Sequence, residues 1–194
     1  MGHQDWAESL CYHVAKDALE AAKHAAEQPA GDEAEFARKK AVATVIVFSA
    51  TCLEAFINRQ ALERLSPSDL QSFMGKALRQ KWLESPKMLN PSSTGFDTAA
   101  EPYSTFAKLV LFRNNRLVHF KPAQESSSSI PANWDHWAEE IGNVRLAERY
   151  FQCVREMVDA LHRLTGRQTS PATILDQEYV RTVTATLGIN SESR

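Results

Sequence analysis

Between Phe112 and Phe120 the chain reads FRNNRLVHF, and within it Arg113, Asn114 and His119 are residue types suited to handling phosphate and protons together. An imidazole, with an ordinary pKa of about 6.5, takes or gives a proton near neutral pH. The planar guanidinium of Arg113 stays charged throughout and offers paired donors to phosphate oxygens. Asn114 adds an amide able to donate to a phosphate or to orient the imidazole. RNA cleavage without a metal requires little more: a base that activates the neighbouring 2′-hydroxyl and a cation that stabilises the phosphorane. Arg116, one turn before His119, and Lys121 are candidates for flanking phosphates.

Geometry sets a condition on that chemistry. On an ideal α-helix six residues turn about 600°, leaving Arg113 and His119 about 120° apart with an axial gap of about 9 Å. One rigid helix does not make them a tight pair. Re-aiming of His119 in the last turn before Pro122 would bring them into play, and so would a second chain presenting its own copy of the motif.

Charge has the same focus. From Pro102 to Lys121 the charged side chains are Lys108, Arg113, Arg116 and Lys121, a run of +4 in a chain of net charge −2 and pI about 6.3. An acidic chain is a poor non-specific coat for nucleic acid, so RNA contact calls for a local basic stripe of this kind.

The elements that must position these residues read as helices. A first helix spans about Asp5 to Glu27 through Trp6, Leu10, Val14, Ala18 (with Leu19) and Ala22, and Pro29-Ala30-Gly31 breaks it. Asp32 is placed to cap the next helix with Glu35 as reciprocal partner. That helix runs from about Glu33 to Leu65 with a core stripe of Val42, Val45, Ile46, Ser49, Leu53, Phe56, Ile57 and Ala61. Ser66-Pro67-Ser68-Asp69 opens a shorter helix through Leu70, Phe73, Leu78 and Trp82. Ser85 to Glu101 is rich in turn formers and reads as a loop.

A helix from about Pro102 to Phe120 carries the motif, and the low-complexity AQESSSSIP follows. Trp134-Asp135-His136-Trp137 opens a short helix whose tryptophans suit packing beneath a loop or stacking on bases. Leu146, Tyr150, Val154, Met157, Leu161 and Leu164 share one face of a helix from about Val144 to Thr165, stopped by Gly166. The expectation is an all-α, up-down bundle of four main helices with short additions over residues 1–166, then a 167–194 tail with one weak helix at Leu175–Leu187.

With the helix order in place, the motif resembles that of HEPN domains. These helical bundles are identified by an arginine, then a polar residue, then a histidine four to six positions after the arginine. Arg113, Asn114 and His119 fit that spacing late in a bundle helix, and Leu53-Glu54-Ala55-Phe56-Ile57-Asn58 is similar to the second-helix pattern of many members. The likeness covers roughly residues 5 to 165. It implies a metal-independent endoribonuclease in which His119 is the acid/base and Arg113 stabilises the phosphorane. It also implies a homodimer that joins two motifs in one cleft, RNA as substrate, and a role as a toxin or anti-phage defence effector, with a nucleotidyltransferase-type antitoxin as one partner. Glu54 and Asn58, one turn apart, are candidates to support the arginine, or equally to fill polar space at a helix contact. The rival reading is a non-catalytic HEPN module that binds nucleotide, RNA or a partner protein.

Other chemistries lack residues. His3, His13, His24, His136 and His162 are scattered, so no metal-ligand cluster and no cofactor is expected. Neither a phosphate-binding glycine loop nor GxSxG occurs. Cys11, Cys52 and Cys153 have no paired spacing and read as packed, reduced thiols of a cytoplasmic protein. The N-terminus lacks a basic-then-apolar leader, and the charge-free run Ala41–Leu53 is short of the about 20 residues a bilayer needs, so no membrane role is expected.

Overall fold

In the computed structural model, residues 7–118 and 141–167 are described. They form six α-helices: α1 (Ala7–Glu27), α2 (Asp32–Leu62), α3 (Pro67–Met74), α4 (Leu78–Leu89), α5 (Tyr103–Phe112) and α6 (Val144–Thr165). A π-helical segment, Arg113–Val118, continues α5. No strand occurs among the described residues, and the architecture is an all-α bundle of α1, α2, α5 and α6 with α3 and α4 added. The expected tail helix, the Trp134–Trp137 helix and the serine-rich stretch lie outside the described residues.

α2 is the central element and touches every other helix. Its expected stripe is buried throughout, from Val42 to Ala61. By length and composition α2 could also cross a membrane, but just over half of its most apolar window, 56%, is buried inside the bundle. Apolar side chains removed from water in this way are the main driving force of folding. The packing is consistent with a soluble protein.

On α1 the expected face is buried only toward its end. Leu19 and Ala22 are buried as expected, whereas Leu10 is 51% exposed and Tyr12 and Ala15 are buried instead. A strict row of every fourth residue drifts about 40° per step around a helix of 3.6 residues per turn, so Leu10 and Ala22 cannot share one contact face.

Helix ends show which capping signals operate. Asp32 does not cap α2: Gly31 occupies that position without a side-chain bond, and Asp32, Glu33 and Glu35 are inside the first turn. Their charges favour the helix N-terminus through the dipole, while Glu35 pairs with Lys39, which pulls its carboxyl below the usual range. Ser66 is a true cap for α3: its Oγ accepts from Asp69 N at 3.3 Å and donates to Asp69 Oδ2 at 2.7 Å, with Pro67 in the first turn. Asn143 caps α6 through Leu146 N at 3.0 Å. At the other end of α6, Gly166 adopts φ +72°, the left-handed conformation glycine takes without strain.

The stretch read as a loop from Ser85 begins as helix, because α4 runs through Pro86 to Leu89. Proline has no N–H for the Trp82 carbonyl four residues back. The hydroxyl of Ser85 supplies the missing donor, at 2.9 Å to Trp82 O. The loop beyond α4 then caps α6: Ser93 Oγ donates to Leu164 O at 2.8 Å and Asn90 Nδ2 to Thr165 O at 3.5 Å, serving carbonyls that lack helical partners.

Behind the motif lies an aromatic cluster. Trp82 of α4 stacks near Phe56 of α2 at 6.2 Å between centroids and tilts against Phe106 of α5 at 5.7 Å, while Tyr103 meets Phe106 edge-on at 5.4 Å. Tyr103 also donates to the Arg79 carbonyl at 3.1 Å. These rings fix α4 and α5 against α2 and so set where Arg113 emerges.

Candidate functional site

α5 keeps α-helical form only to Phe112. At Arg113 the backbone N–H is shared between Leu109 O and Val110 O, and from there to Val118 the ladder is π-helical, with bonds five rather than four residues back. The expected single α-helix is therefore corrected over Arg113–Val118, while His119 and Phe120 lie outside the described residues. Widened turns of this kind recur at functional sites.

Arg113 is held on two sides. Its Nε donates to Asn114 Oδ1 at 3.0 Å and its Nη1 to Glu54 Oε2 at 3.0 Å. Asn114 thus orients the arginine through its carbonyl oxygen. Nη2 makes no hydrogen bond among the described residues, so one corner of the fork remains for an added acceptor.

Glu54 and Asn58 have different partners. Glu54 takes Arg113; Asn58, one turn further along α2, accepts from Lys81 Nζ of α4 at 3.0 Å. Lys81 is 2% exposed and lies over the Phe73 ring at 5.9 Å. Burial holds its ammonium below the ordinary lysine range, with the negative charge of Glu54 opposing. Two cations and two α2 acceptors therefore form one polar seam where α2 meets α4 and the π-helical segment.

Lys81 was not singled out from sequence. The stripe Leu78, Trp82 and Ser85 carried the signal, because helical spacing puts position 81 beside Trp82 on the buried face. Of the basic stripe, Lys108 is exposed on α5 and Arg113 is paired. Arg116 lies in the π-helical segment, its side chain outside the described residues, and His119 and Lys121 lie outside them altogether.

Elsewhere, a second ion pair joins Arg59 Nε to the buried Glu8 Oε1 at 2.7 Å between α2 and α1. The three cysteines are buried and unbridged. Burial pushes the Cys52 thiol well up and that of Cys153 to about 12, which leaves them poor nucleophiles at neutral pH. Among the described residues no group of three or more His, Cys, Asp and Glu side chains is arranged to hold a metal ion. Comparison with known protein families, curated proteins and solved structures gives no match to this chain.

Proposed function

We propose that the chain is a metal-independent endoribonuclease of HEPN type that works in the cytoplasm as a homodimer. The observation that carries this reading is the presentation of Arg113. A guanidinium fixed by Glu54 and Asn114 on a π-helical turn, with Nη2 left over, is an oriented cation for a phosphate. His119, six residues on in the sequence, is the acid/base in this scheme: in the dimer one copy takes the 2′-hydroxyl proton and the other gives a proton to the leaving oxygen. Arg116 and Lys121 bind flanking phosphates. A toxin or defence role, with a nucleotidyltransferase-type antitoxin, accompanies the HEPN resemblance.

A second reading is favoured by the same ion pair. Glu54 offsets the charge of Arg113, which lowers its capacity to stabilise a phosphorane and leaves a module that binds nucleotide, RNA or a partner without turnover. Labelled RNA incubated with the wild type and with His119→Ala separates the two. Cleavage by the wild type alone supports the nuclease; no cleavage by either supports the binding module.

A further inference from the structure

The seam on α2 places a buried lysine beside the carboxylate that restrains Arg113. Glu54 and Asn58 are one helical turn apart, a rise of about 5.4–6 Å, and Lys81 Nζ sits 3.0 Å from Asn58 Oδ1. An ammonium has three donors. Among the described residues Lys81 spends one of them on a neutral amide, although it is 2% exposed. A desolvated cation interacts strongly with nearby charges, and the carboxylate of Glu54, one turn from the Asn58 amide that Lys81 bonds, opposes the effect of its burial. Glu54 is 35% exposed in its side chain and Arg113 15%. The carboxylate thus touches one cation, Arg113, and lies one helical turn from the contact of a second, Lys81, both more buried than itself.

We propose that Lys81 is a positioning residue of the Arg113 site, sharing the negative charge of Glu54 so that Arg113 keeps positive charge available for a phosphate. This rests on the reading of Arg113 as a phosphate-binding group. An anion arriving at Nη2 competes with Glu54 for the guanidinium, and Lys81 lowers the cost by holding part of the Glu54 field toward α4. Without Lys81, Glu54 would bind Arg113 alone and the phosphate would meet a neutralised pair. Lys81 needs no contact with the substrate for this.

The test is a double-mutant cycle read at Arg113 itself. Inorganic phosphate is titrated while the Arg113 Nε–Hε resonance, identified by its loss in Arg113→Lys, is followed by NMR. Lys81→Met should raise the phosphate midpoint about tenfold in the wild-type background and less than twofold in the Glu54→Gln background. Lys81→Arg, which keeps the charge, should stay within about twofold of wild type. Lys81→Gln runs in parallel, so that one variant failing to fold does not end the comparison. Equal costs in both backgrounds would show Lys81 acting on the phosphate directly, and would overturn the proposal. So would an unchanged midpoint in Lys81→Met. A wild-type resonance indifferent to phosphate overturns the anion-binding role of Arg113 and this proposal with it. A wild type that shows the expected order of midpoints yet cuts no RNA overturns the nuclease reading and supports the role of Lys81.

Discussion

Glu54 on α2 reaches Arg113 on the π-helical segment at 3.0 Å, and the arginine is the more buried of the two. A carboxylate so placed does two opposing things. It fixes the direction of the guanidinium, and it cancels charge that a polyanion would otherwise meet. Glu54→Gln keeps an acceptor for Nη1 and removes the charge. RNA should therefore bind more tightly to this variant, and the slope of log K against log salt should steepen by up to about 1, as for one added phosphate contact. Binding titrations at several salt concentrations give the slope. Unchanged affinity and slope would place the RNA away from this pair.

Arg113→Ala should abolish turnover. Loss of a charged donor aimed at the phosphorane costs about 3 kcal/mol or more, over a hundredfold in rate. Arg113→Lys should recover little, because an ammonium cannot bond Asn114 and Glu54 from two sides and still offer a free donor in the same plane. Single-turnover cleavage of labelled RNA measures both. A lysine variant cutting within about threefold of wild type would show that charge alone suffices.

The Ser85 hydroxyl stands in for the amide that Pro86 lacks, so the two positions should couple in stability. Ser85→Ala leaves the buried Trp82 carbonyl without its donor and should cost about 1–3 kcal/mol. In a Pro86→Ala background the amide of residue 86 can reach that carbonyl, and the same serine substitution should cost under about 0.5 kcal/mol. Urea denaturation of the four proteins measures the coupling. Equal costs in both backgrounds would mean that the hydroxyl has no such role.

What the sequence made legible follows from periodicity. The α2 stripe from Val42 to Ala61 is buried as expected because its residues recur at helical spacing on the helix that the others pack around. Val144–Thr165 is helix to the residue, with glycine in the left-handed conformation at its stop. The failures also have physical causes. Ser85 and Pro86 are turn formers by type, but the hydroxyl bond to Trp82 replaces the donor that proline removes within α4. Lys81 is charged and reads as solvated, although tertiary packing buries it. Glu54 and Asn58 were legible as a pair, but their separate partners depend on how α4 and α5 approach α2. The π-helical turn at Arg113 has no signature in residue type.

Lys81 should also leave a mark on the pH dependence of stability. Burial holds its folded pKa below the ordinary lysine value of 10.5, with Glu54 opposing. A cation whose folded pKa is depressed works against folding while it is protonated. Between the folded pKa and 10.5 the unfolded chain binds the extra proton, so this contribution to stability rises with pH across that window. The stability of wild type minus that of Lys81→Met should therefore increase from neutral pH toward pH 10. Urea midpoints for both proteins across that range give the difference. A flat or falling difference would mean that Lys81 is not desolvated in the folded state.

The chemistry assigned to His119 and Arg113 makes a prediction about ends and additives. If the 2′-hydroxyl is the nucleophile, the products carry a 2′,3′-cyclic phosphate and a 5′-hydroxyl, and a single 2′-deoxy substitution at the cleaved nucleotide stops the reaction while leaving binding almost unchanged. The proton moves through an imidazole and the charge is met by a guanidinium, so cleavage should persist in EDTA. Rate against pH should follow a bell, since one histidine form accepts the first proton and another donates the second. In a dimer the two forms belong to two copies of His119, and the limbs report the pair rather than either residue. Mapping the ends by phosphatase sensitivity, with and without chelator, tests the scheme directly. Loss of cleavage in EDTA that added Mg²⁺ or Mn²⁺ restores, or 5′-phosphate ends, would replace the 2′-hydroxyl with an activated water and remove His119 from the role given to it here.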